Sequence, residues 1–168
     1  MVDCYVGMGG NLAGTLLVMQ QITSQLQSKK EIEHLRVSRL YRTSPVSPIP
    51  QSYYLNAVCR FQTQLSVADL FILLGMLETT MGKIPKAKEA PRLIDLDLLF
   101  YGSLVEKTAE WTLPHPKWHE RLFVLAPLAD VTEQLPLEGN VKIAELLQRF
   151  SNPHQEQVIV LQERLENA

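Results

Sequence analysis

Two aspartates separated by one residue, Asp95 and Asp97, are the residues of this sequence best placed to do chemistry. They lie in the run 92–101, where every second residue from Ile94 to Phe100 is apolar. Because side chains alternate between the two faces of a strand, this pattern predicts a strand with one buried face and both carboxylates on the other. At about 3.3 Å per residue, the acids would lie roughly 6.5 Å apart along the strand.

Two carboxylates at this spacing repel each other unless a cation lies between them. Hard divalent ions, Mg²⁺ above all, prefer such oxygen ligands. A solvated amphipathic strand would carry the same D-x-D pattern without any metal. Leu93 and Leu99 flank the pair on the same predicted face, however, so the acids interrupt an apolar strip and need a partner. This setting favours a Mg²⁺ site.

Cationic residues precede and follow the aspartates. Residues 83–91 contain three lysines and lead directly into Arg92. Cations beside paired carboxylates suit a polyanion bridged through metal, and a phosphate compound is the simplest such substrate. His115 lies in a proline-bounded loop, where a lone histidine is more often structural than catalytic. Arg121 and Phe123, which follow shortly, favour a role for His115 in the site.

A second candidate surface is the alternating segment 53–65, which places Tyr54 and Asn56 on one face. A ring beside an amide suits a flat heterocycle with hydrogen-bonding edges, although an ordinary sheet surface has the same pattern. The preceding run 44–50 holds three prolines, which fix φ and remove backbone donors. We expect a loop outside any sheet, and an apolar loop of this length between strands is often functional.

Length and composition predict a single globular domain over residues 1–168. Hydrophobic residues make up 46% of the chain and charged residues 20%, which argues against disordered and fibrous classes. A net charge of −2 provides no basic excess for nucleic-acid binding. No segment has the pattern of a membrane span or a signal peptide. Cys4 and Cys59 lack CxxC spacing, so we expect buried, reduced thiols in a cytoplasmic protein.

A mixed series of strands and helices must position these residues. Hydrophobic periodicity predicts strands at 2–8, 35–43, 53–65, 92–101 and 157–161, with a short hairpin arm at 104–107. It predicts helices at 14–28, 66–82, 121–131 and 143–150. The glycines and Asn11 after the first strand indicate a turn, because neither glycine pattern of a nucleotide loop is complete. This order favours an α+β sandwich over a doubly wound parallel sheet.

Motifs spread over most of the chain resemble those of one enzyme family. They are Tyr5-Val6-Gly7-Met8-Gly9-Gly10-Asn11-Leu12, Tyr41-Arg42-Thr43 with Pro45 and then Tyr54-Leu55-Asn56-Ala57, Pro91 to Gly102, and Pro114-His115 followed by Arg121 to Leu128. In order and spacing they resemble the hydroxymethyl-dihydropterin pyrophosphokinase family of folate synthesis. The resemblance is collinear from about Tyr5 to Leu128.

The resemblance implies a ferredoxin-like α+β fold, with a mostly antiparallel sheet and three mobile loops around the site. It also implies transfer of pyrophosphate from ATP to the hydroxymethyl group of 6-hydroxymethyl-7,8-dihydropterin, with release of AMP. Asp95 and Asp97 would hold two Mg²⁺ ions and, together with Arg92, act in catalysis. The substrates would be small molecules only, and we expect a monomer.

The family pattern also assigns binding residues. Its ATP-binding positions correspond to Lys83, Arg92, Leu98, Thr112, His115 and Arg121. Its pterin-binding positions correspond to Thr43, Pro45, Val46, Tyr54, Asn56 and Phe123. By this resemblance Phe123 stacks on the pterin ring, Asn56 reads its amide edge, and Glu78 supports the site.

The chain departs from the family around ATP. Lys88-Glu89-Ala90 stands where a Trp-Gly pair normally precedes Pro-Arg, and Lys83 and Pro85 stand where arginines are usual. Glu110 and Pro116 likewise replace an arginine and a tyrosine. Lysine offers a point charge instead of a bidentate fork, and proline offers no charge at all. We therefore expect activity with weaker ATP binding or slower loop closure.

Two other functions share some of these features. A catalytically weak pterin- or nucleotide-binding paralogue would explain the reduced set of cations, but it has no need of two mutually repelling aspartates. A two-metal phosphodiesterase could use the same D-x-D pair. That enzyme would also require further acidic or histidine ligands and a basic groove, and the sequence offers neither clearly.

Overall fold

A computed structural model describes residues 1–45, 50–83, 90–139, 141–150 and 158–165. The strands in these ranges are β1 Val2–Gly10, β2 Ile32–Val37, β3 Arg39–Thr43, β4 Tyr54–Thr63, β5 Asp95–Tyr101, β6 Glu106–Lys107, β7 Thr112–Leu113 and β8 Val158–Arg164. The α-helices are α1 Thr15–Gln27, α2 Val67–Thr80, α3 Leu122–Val131 and α4 Ile143–Leu147. Single 3₁₀ turns occupy Trp118–Glu120 and Gln148–Phe150.

One antiparallel sheet organises the chain, with strand order β5-β1-β4-β3-β8. β2 and β3, separated by Ser38, pair with successive halves of β4 and act as one interrupted strand. The order β1-α1-β2/β3-β4-α2-β5 is therefore a β-α-β-β-α-β arrangement with a ferredoxin-like sheet. The expected α+β fold is confirmed.

Helices cover both faces of the sheet. On one face α1 and α2 bury a core that includes Met19, Ile22 and Leu70 against Met8 and Phe61. On the other face α3 and α4 pack over a second core that contains Tyr5, Val58, Leu99, Leu125 and Ile143. The alternation predicted for the fourth strand is confirmed, since Ala57 and Cys59 face the first core and Val58 faces the second.

The aspartate strand differs from its prediction at its start. β5 begins at Asp95 and not at Arg92, because the backbone of Arg92 is hydrogen-bonded to Asn11 instead of to a strand. Leu93 packs with the α1–α2 core, so the expectation that it flanks the acids is wrong. Leu99 does share the face that we predicted for it.

A β-bulge changes the other end of this strand. The register of β5 against β1 shifts between Tyr5 and Val6, so Leu99 and Phe100 both belong to the α3–α4 core. Phe100 meets Tyr5 edge-on, with ring centroids 5.7 Å apart. The prediction that Phe100 shares a face with Leu96 is wrong, because a bulge inserts one extra residue and breaks strict alternation.

The first glycines also lie elsewhere than expected. Gly7, Gly9 and Gly10 belong to β1, which ends at Gly10, and the turn begins only at Asn11. Within the predicted arm 104–107, Glu106 and Lys107 pair with β7, a short strand that comes just before the loop of His115. Ser66 is the N-cap of α2, because its Oγ accepts a hydrogen bond from the backbone N–H of Asp69 at 3.2 Å.

Cys4 and Cys59 are buried and unbonded to each other, as predicted. Burial, followed by the nearby charge of Asp3, raises the pKa of the Cys4 thiol to about 12. In the described ranges no helix combines the length and apolar character needed to cross a bilayer.

Candidate active site

The two predicted surfaces meet across β1. The register pairs Gly9 with Asp95 on one side and with Asn56 on the other. Neighbouring strands lie about 4.8 Å apart, so the backbones of Asp95 and Asn56 are separated by about 10 Å. Gly7 similarly lies between Asp97 and Val58. The aspartates and the Asn56 amide therefore border a strip of one sheet face that is bare of side chains at Gly7 and Gly9, since Met8 between them faces the α1–α2 core.

A side chain in place of Gly9 would force the Asn56 amide to move. A Cβ at Gly9 would lie 2.9 Å from the Asn56 Oδ1 atom, closer than ordinary packing allows. At Gly7 a Cβ would make only an ordinary contact, 3.6 Å from a Leu99 methyl group. The Asn56 amide is held on its other side, because Nδ2 donates to Thr43 Oγ1 at 2.9 Å.

Asp95 lies in a compact group of charges. Its Oδ2 accepts a hydrogen bond from Arg92 Nη1 at 2.7 Å, and its Oδ1 lies 2.8 Å from Lys83 Nζ. The same ammonium group lies 2.7 Å from Glu78 Oε1. Glu78 is held in turn by the backbone N–H of Leu96, which donates to Oε1 at 2.6 Å. Glu78 thereby connects the end of α2 to β5.

These contacts raise the pKa values of Lys83 and Arg92. Burial alone lowers the pKa of Lys83, but the contacts with Asp95 and Glu78 outweigh it and leave the pKa above its ordinary value. The hydrogen bond from Arg92 to Asp95 likewise raises the pKa of the guanidinium group. Both side chains are therefore cations at neutral pH.

The two aspartates differ in their surroundings. Asp97 is exposed and forms no ion pair with any residue in the described part of the chain. Asp95 Oδ1 is buried and has its cation contact without a well-directed hydrogen bond. The Asp97 carboxylate and the Asp95 Oδ1 atom are both suited to bind a metal ion. Over the described ranges, no cluster of three or more His, Cys, Asp or Glu residues could enclose a metal, so water and substrate oxygens would have to complete the coordination.

Asn11 joins three segments around the aspartates. Its backbone N–H donates to the Arg92 carbonyl at 2.8 Å, and its Oδ1 accepts from the Arg92 N–H at 2.8 Å. Its Nδ2 donates to Gln51 Oε1 at 3.0 Å. Tyr54 also contacts this Gln51 oxygen, at 3.3 Å from its hydroxyl group. The glycine strand, the proline loop and the entry to β5 are thus connected.

Phe123, another predicted pterin residue, lies on the α3–α4 side of the sheet. Phe123 is the second residue of α3 and packs against the α3–α4 core, with the Arg121 guanidinium over its ring at 5.4 Å. Pro45 is half-buried. Val46 and the lysine-rich residues 84–89 lie outside the described residues, so the structure does not test their predicted roles.

A cavity of about 290 Å³ opens beside Asp97 and contains three of the predicted ATP residues, Leu98, Thr112 and His115. The His115 N–H donates to the Leu99 carbonyl at 3.0 Å, which fixes this loop on β5. Burial, followed by the charges of Arg121 and Lys117, lowers the pKa of His115 despite the opposing charge of Asp97. Its Nδ1 accepts from the Lys117 N–H at 3.3 Å, so the neutral ring carries its proton on Nε2.

Sequence reasoning missed the aromatic wall of this cavity. Phe71 and Trp111 both line it, with ring centroids 5.5 Å apart and planes tilted by 34°. Trp111 Nε1 donates to Glu106 Oε2 at 2.7 Å, which orients the indole. Phe71 lies within the predicted helix 66–82, and periodicity there marks it only as an apolar helix residue. Its half-buried position beside a distant tryptophan left no signal in the local pattern.

Two of the departures from the family pattern, Glu110 and Pro116, also line the cavity. Arg121 is not among the cavity residues and lies instead over Phe123. Five of the six predicted ATP residues thus fall into two groups, with Leu98, Thr112 and His115 around this cavity and Lys83 and Arg92 around Asp95. Arg121 belongs to neither group.

Comparison with known proteins identifies the family to which this sequence is similar. The family model for 7,8-dihydro-6-hydroxymethylpterin-pyrophosphokinase matches residues 5–133. The 2-amino-4-hydroxy-6-hydroxymethyldihydropteridine pyrophosphokinase of Bacillus subtilis is 31% identical over 135 residues, covering 80% of this chain and 81% of the relative. The protein of the same name from Haemophilus influenzae is 28% identical over 152 residues, covering 90% and 95%.

Solved structures agree on the fold. The wild-type HPPK-DHPS of Plasmodium falciparum with SDX-DHP superimposes with a TM-score of 0.62 at 12% sequence identity. The match covers 89% of this chain and 44% of the longer Plasmodium chain. At this identity the likeness concerns the fold alone.

Proposed function

The chain belongs to the 7,8-dihydro-6-hydroxymethylpterin-pyrophosphokinase family, a family of folate-synthesis enzymes, and on this premise we propose how it acts. It transfers pyrophosphate from ATP to the hydroxymethyl group of 6-hydroxymethyl-7,8-dihydropterin, and the reaction depends on Mg²⁺ and releases AMP. The observation that carries the proposal is the row Asp95–Gly9–Asn56. It sets a pair of carboxylates and a fixed amide about 10 Å apart across a bare strip of sheet.

Asp95 and Asp97 would hold the Mg²⁺ ions, which, when bound, would neutralise the triphosphate and lower the pKa of the attacking hydroxyl group. Arg92 keeps Asp95 in place through the 2.7 Å contact with Oδ2. His115 Nδ1 accepts the hydrogen bond from Lys117, which leaves the Nε2–H group to donate a hydrogen bond to the phosphates. Phosphoryl transfer is mostly positioning and charge neutralisation, so the protein needs no separate strong base.

The pterin lies over the strip formed by Gly7 and Gly9, with its ring placed between Asn56 and Phe123. Asn56 Oδ1 and Nδ2 read the amide edge of the ring, and the Thr43 contact at 2.9 Å fixes which way the amide points. Phe123 stacks on the ring, and Tyr54, Pro45 and Val46 close the pocket. This geometry directs the hydroxymethyl group toward the aspartates.

The ATP base occupies the cavity formed by Leu98, Thr112 and the Phe71–Trp111 wall. Aromatic side chains stack on any nucleobase, with typical contributions of about 1–3 kcal/mol per base. Lys83 and Arg121 contact the phosphates. Glu110, a carboxylate in the same cavity, opposes the triphosphate charge, so ATP binds more weakly than an arginine at this position would allow.

The Glu110 carboxylate also favours a second candidate function, a catalytically weak pterin- or nucleotide-binding paralogue. We place it second because such a protein gains nothing from two adjacent acids. The phosphodiesterase alternative is not proposed, since the described residues offer no third metal ligand near the aspartates. We further propose that the protein acts as a monomer in the cytoplasm on small molecules alone.

A product assay separates the two candidates. Purified protein with Mg²⁺, ATP and 6-hydroxymethyl-7,8-dihydropterin should form AMP and the pterin diphosphate in equal amounts, with ADP absent. Saturable pterin binding without AMP would instead establish the binding paralogue.

A further inference from the structure

Lys83 occupies a place beside Asp95 where a metal cation would be expected to bind. Its Nζ lies 2.8 Å from Asp95 Oδ1 and 2.7 Å from Glu78 Oε1, and the side chain is only 34% exposed. Oδ1 is the buried carboxylate oxygen that has no well-directed hydrogen bond. An ammonium group is a compact point charge on a flexible stem, so it can neutralise an acid and still leave readily.

The charges around Asp95 balance only while Lys83 is present. Two carboxylates, from Glu78 and Asp95, meet two cations, from Lys83 and Arg92. A divalent cation approaching this group would be repelled by both cations at short range. If Lys83 withdraws, the carboxylates of Glu78 and Asp95 face Arg92 alone, and one negative charge is left without a partner. Asp97, the other proposed metal ligand, adds a second negative charge two residues along β5, so a divalent ion would be attracted in place of the ammonium group.

The two cations differ in how firmly they are held. Arg92 binds the other oxygen, Oδ2, and its backbone is fixed to Asn11 by hydrogen bonds in both directions. Lys83 follows the C-terminal end of α2, and its N–H donates to the Glu78 carbonyl at 3.0 Å. Its side chain can therefore swing while its backbone stays in place.

We propose that Lys83 is an exchangeable counter-ion: it pairs with Asp95 in the metal-free enzyme and is displaced from Oδ1 when a divalent cation binds. The proposal rests on the metal site proposed above and adds that metal binding must break the contact between Lys83 and Asp95. Displacement frees the ammonium group for the triphosphate, so metal binding and phosphate binding reinforce each other. Lys83 is in this sense a positioning residue as well as a phosphate contact.

Mn²⁺ binding to the whole protein without nucleotide, followed by electron paramagnetic resonance, tests the exchange. Lys83→Met should bind Mn²⁺ about tenfold more tightly than the wild type, because it removes one competing cation from a partly exposed site. Lys30→Met is the matched control and should bind as the wild type does, since β2, which begins beside it, pairs with the far end of β4. Asp97→Ala should lose the binding, which locates the site.

Equal or weaker Mn²⁺ binding by Lys83→Met would overturn the exchange and leave the metal site standing. Absence of binding in every variant would overturn both. A second measurement on the wild type needs no folded variant: mass spectrometry of amine labelling. Lys83 should react several-fold faster once Mn²⁺ is added, while Lys30 reacts at an unchanged rate. A Lys83 rate that Mn²⁺ leaves unchanged or lowers would contradict the exchange.

Discussion

Asn11 and Arg92, 81 residues apart in the sequence, are joined by two hydrogen bonds of 2.8 Å that run in opposite directions. The Asn11 backbone donates to the Arg92 carbonyl, and its side chain accepts from the Arg92 N–H. This pairing resembles one step of an antiparallel ladder, but one of its two hydrogen bonds is made by a side chain. It ends the strand pairing of β5 at Asp95 and fixes the residue that holds the Asp95 carboxylate.

Asn11→Ala should destabilise the protein by about 1–3 kcal/mol, because it leaves the Arg92 N–H without its acceptor in a largely buried place. Urea unfolding measures this free energy. Asn11→Asp keeps the acceptor and loses only the Nδ2 donor to Gln51 and to the Ser52 carbonyl, so it should fall between the wild type and Asn11→Ala. An alanine variant as stable as the aspartate variant would show that the Arg92 contact contributes little.

Gly9→Ala should weaken pterin binding by about tenfold, or roughly 1.4 kcal/mol. The new Cβ would lie 2.9 Å from Asn56 Oδ1, so the amide that reads the pterin must move. Pterin fluorescence titration without ATP measures the dissociation constant. Gly7→Ala is the matched control, since its Cβ makes only an ordinary 3.6 Å contact and should leave pterin affinity within about twofold. Equal losses in both variants would contradict the steric account.

Glu110→Arg should lower the KM for ATP by about three- to tenfold, because it replaces a carboxylate in the ATP cavity with a cation that pairs with phosphate. The KM for the pterin should not change. Glu31→Arg makes the same change of charge at an exposed residue next to β2. An equal effect in both variants would indicate a long-range change of field instead of a local contact.

Asp130 anchors α3, the helix that begins beside Phe123, to β3. Arg39 Nη2 lies 2.7 Å from Asp130 Oδ1, and the Tyr41 hydroxyl donates to Oδ2 at 2.9 Å. Burial raises the pKa of Asp130, but these hydrogen bonds outweigh it and hold the pKa below its ordinary value of 3.8. The carboxylate thus stabilises the fold above about pH 4, and this contribution is lost as pH falls through the lowered pKa.

Asp130→Asn should accordingly lower stability at pH 7 by about 1 kcal/mol, a modest value because Arg39 is largely exposed and screened. Urea unfolding at pH 7, 5 and 3 should show the gap between variant and wild type narrowing at the lowest pH. Glu133→Gln, an exposed acid nearby, should cost little at any pH. A gap that stays constant down to pH 3 would contradict the account.

Local patterns in the sequence were sufficient for most elements of the fold. Alternation placed Asn56 and Val58 on one face of β4, and Ser66 marked the start of α2, because both features depend on neighbours only a few residues away. The D-x-D pair was also visible locally. Leu99 lies on the sheet face predicted for it, although the strand begins three residues later than expected.

Contacts between distant residues account for what the sequence did not reveal. The bulge that turns Phe100 onto the Tyr5 face depends on register against β1, and the pairing of Phe71 with Trp111 joins residues 40 positions apart. The bridging contact of Lys83 with Asp95 and Glu78 requires α2 and β5 to meet. None of these arrangements has a periodic signature, so periodicity could not predict them.

The central claim is that Asp95 and Asp97 hold the metal that links ATP to a pterin alcohol. Asp97 gives the most direct test, because it has no ion pair among the described residues and its loss should disturb the fold least. AMP release from ATP and 6-hydroxymethyl-7,8-dihydropterin should be measured over a Mg²⁺ titration for the wild type and Asp97→Ala, with unfolding curves for both. We predict that Asp97→Ala loses about a hundredfold or more in turnover at unchanged stability. Undiminished AMP release by Asp97→Ala would contradict the account.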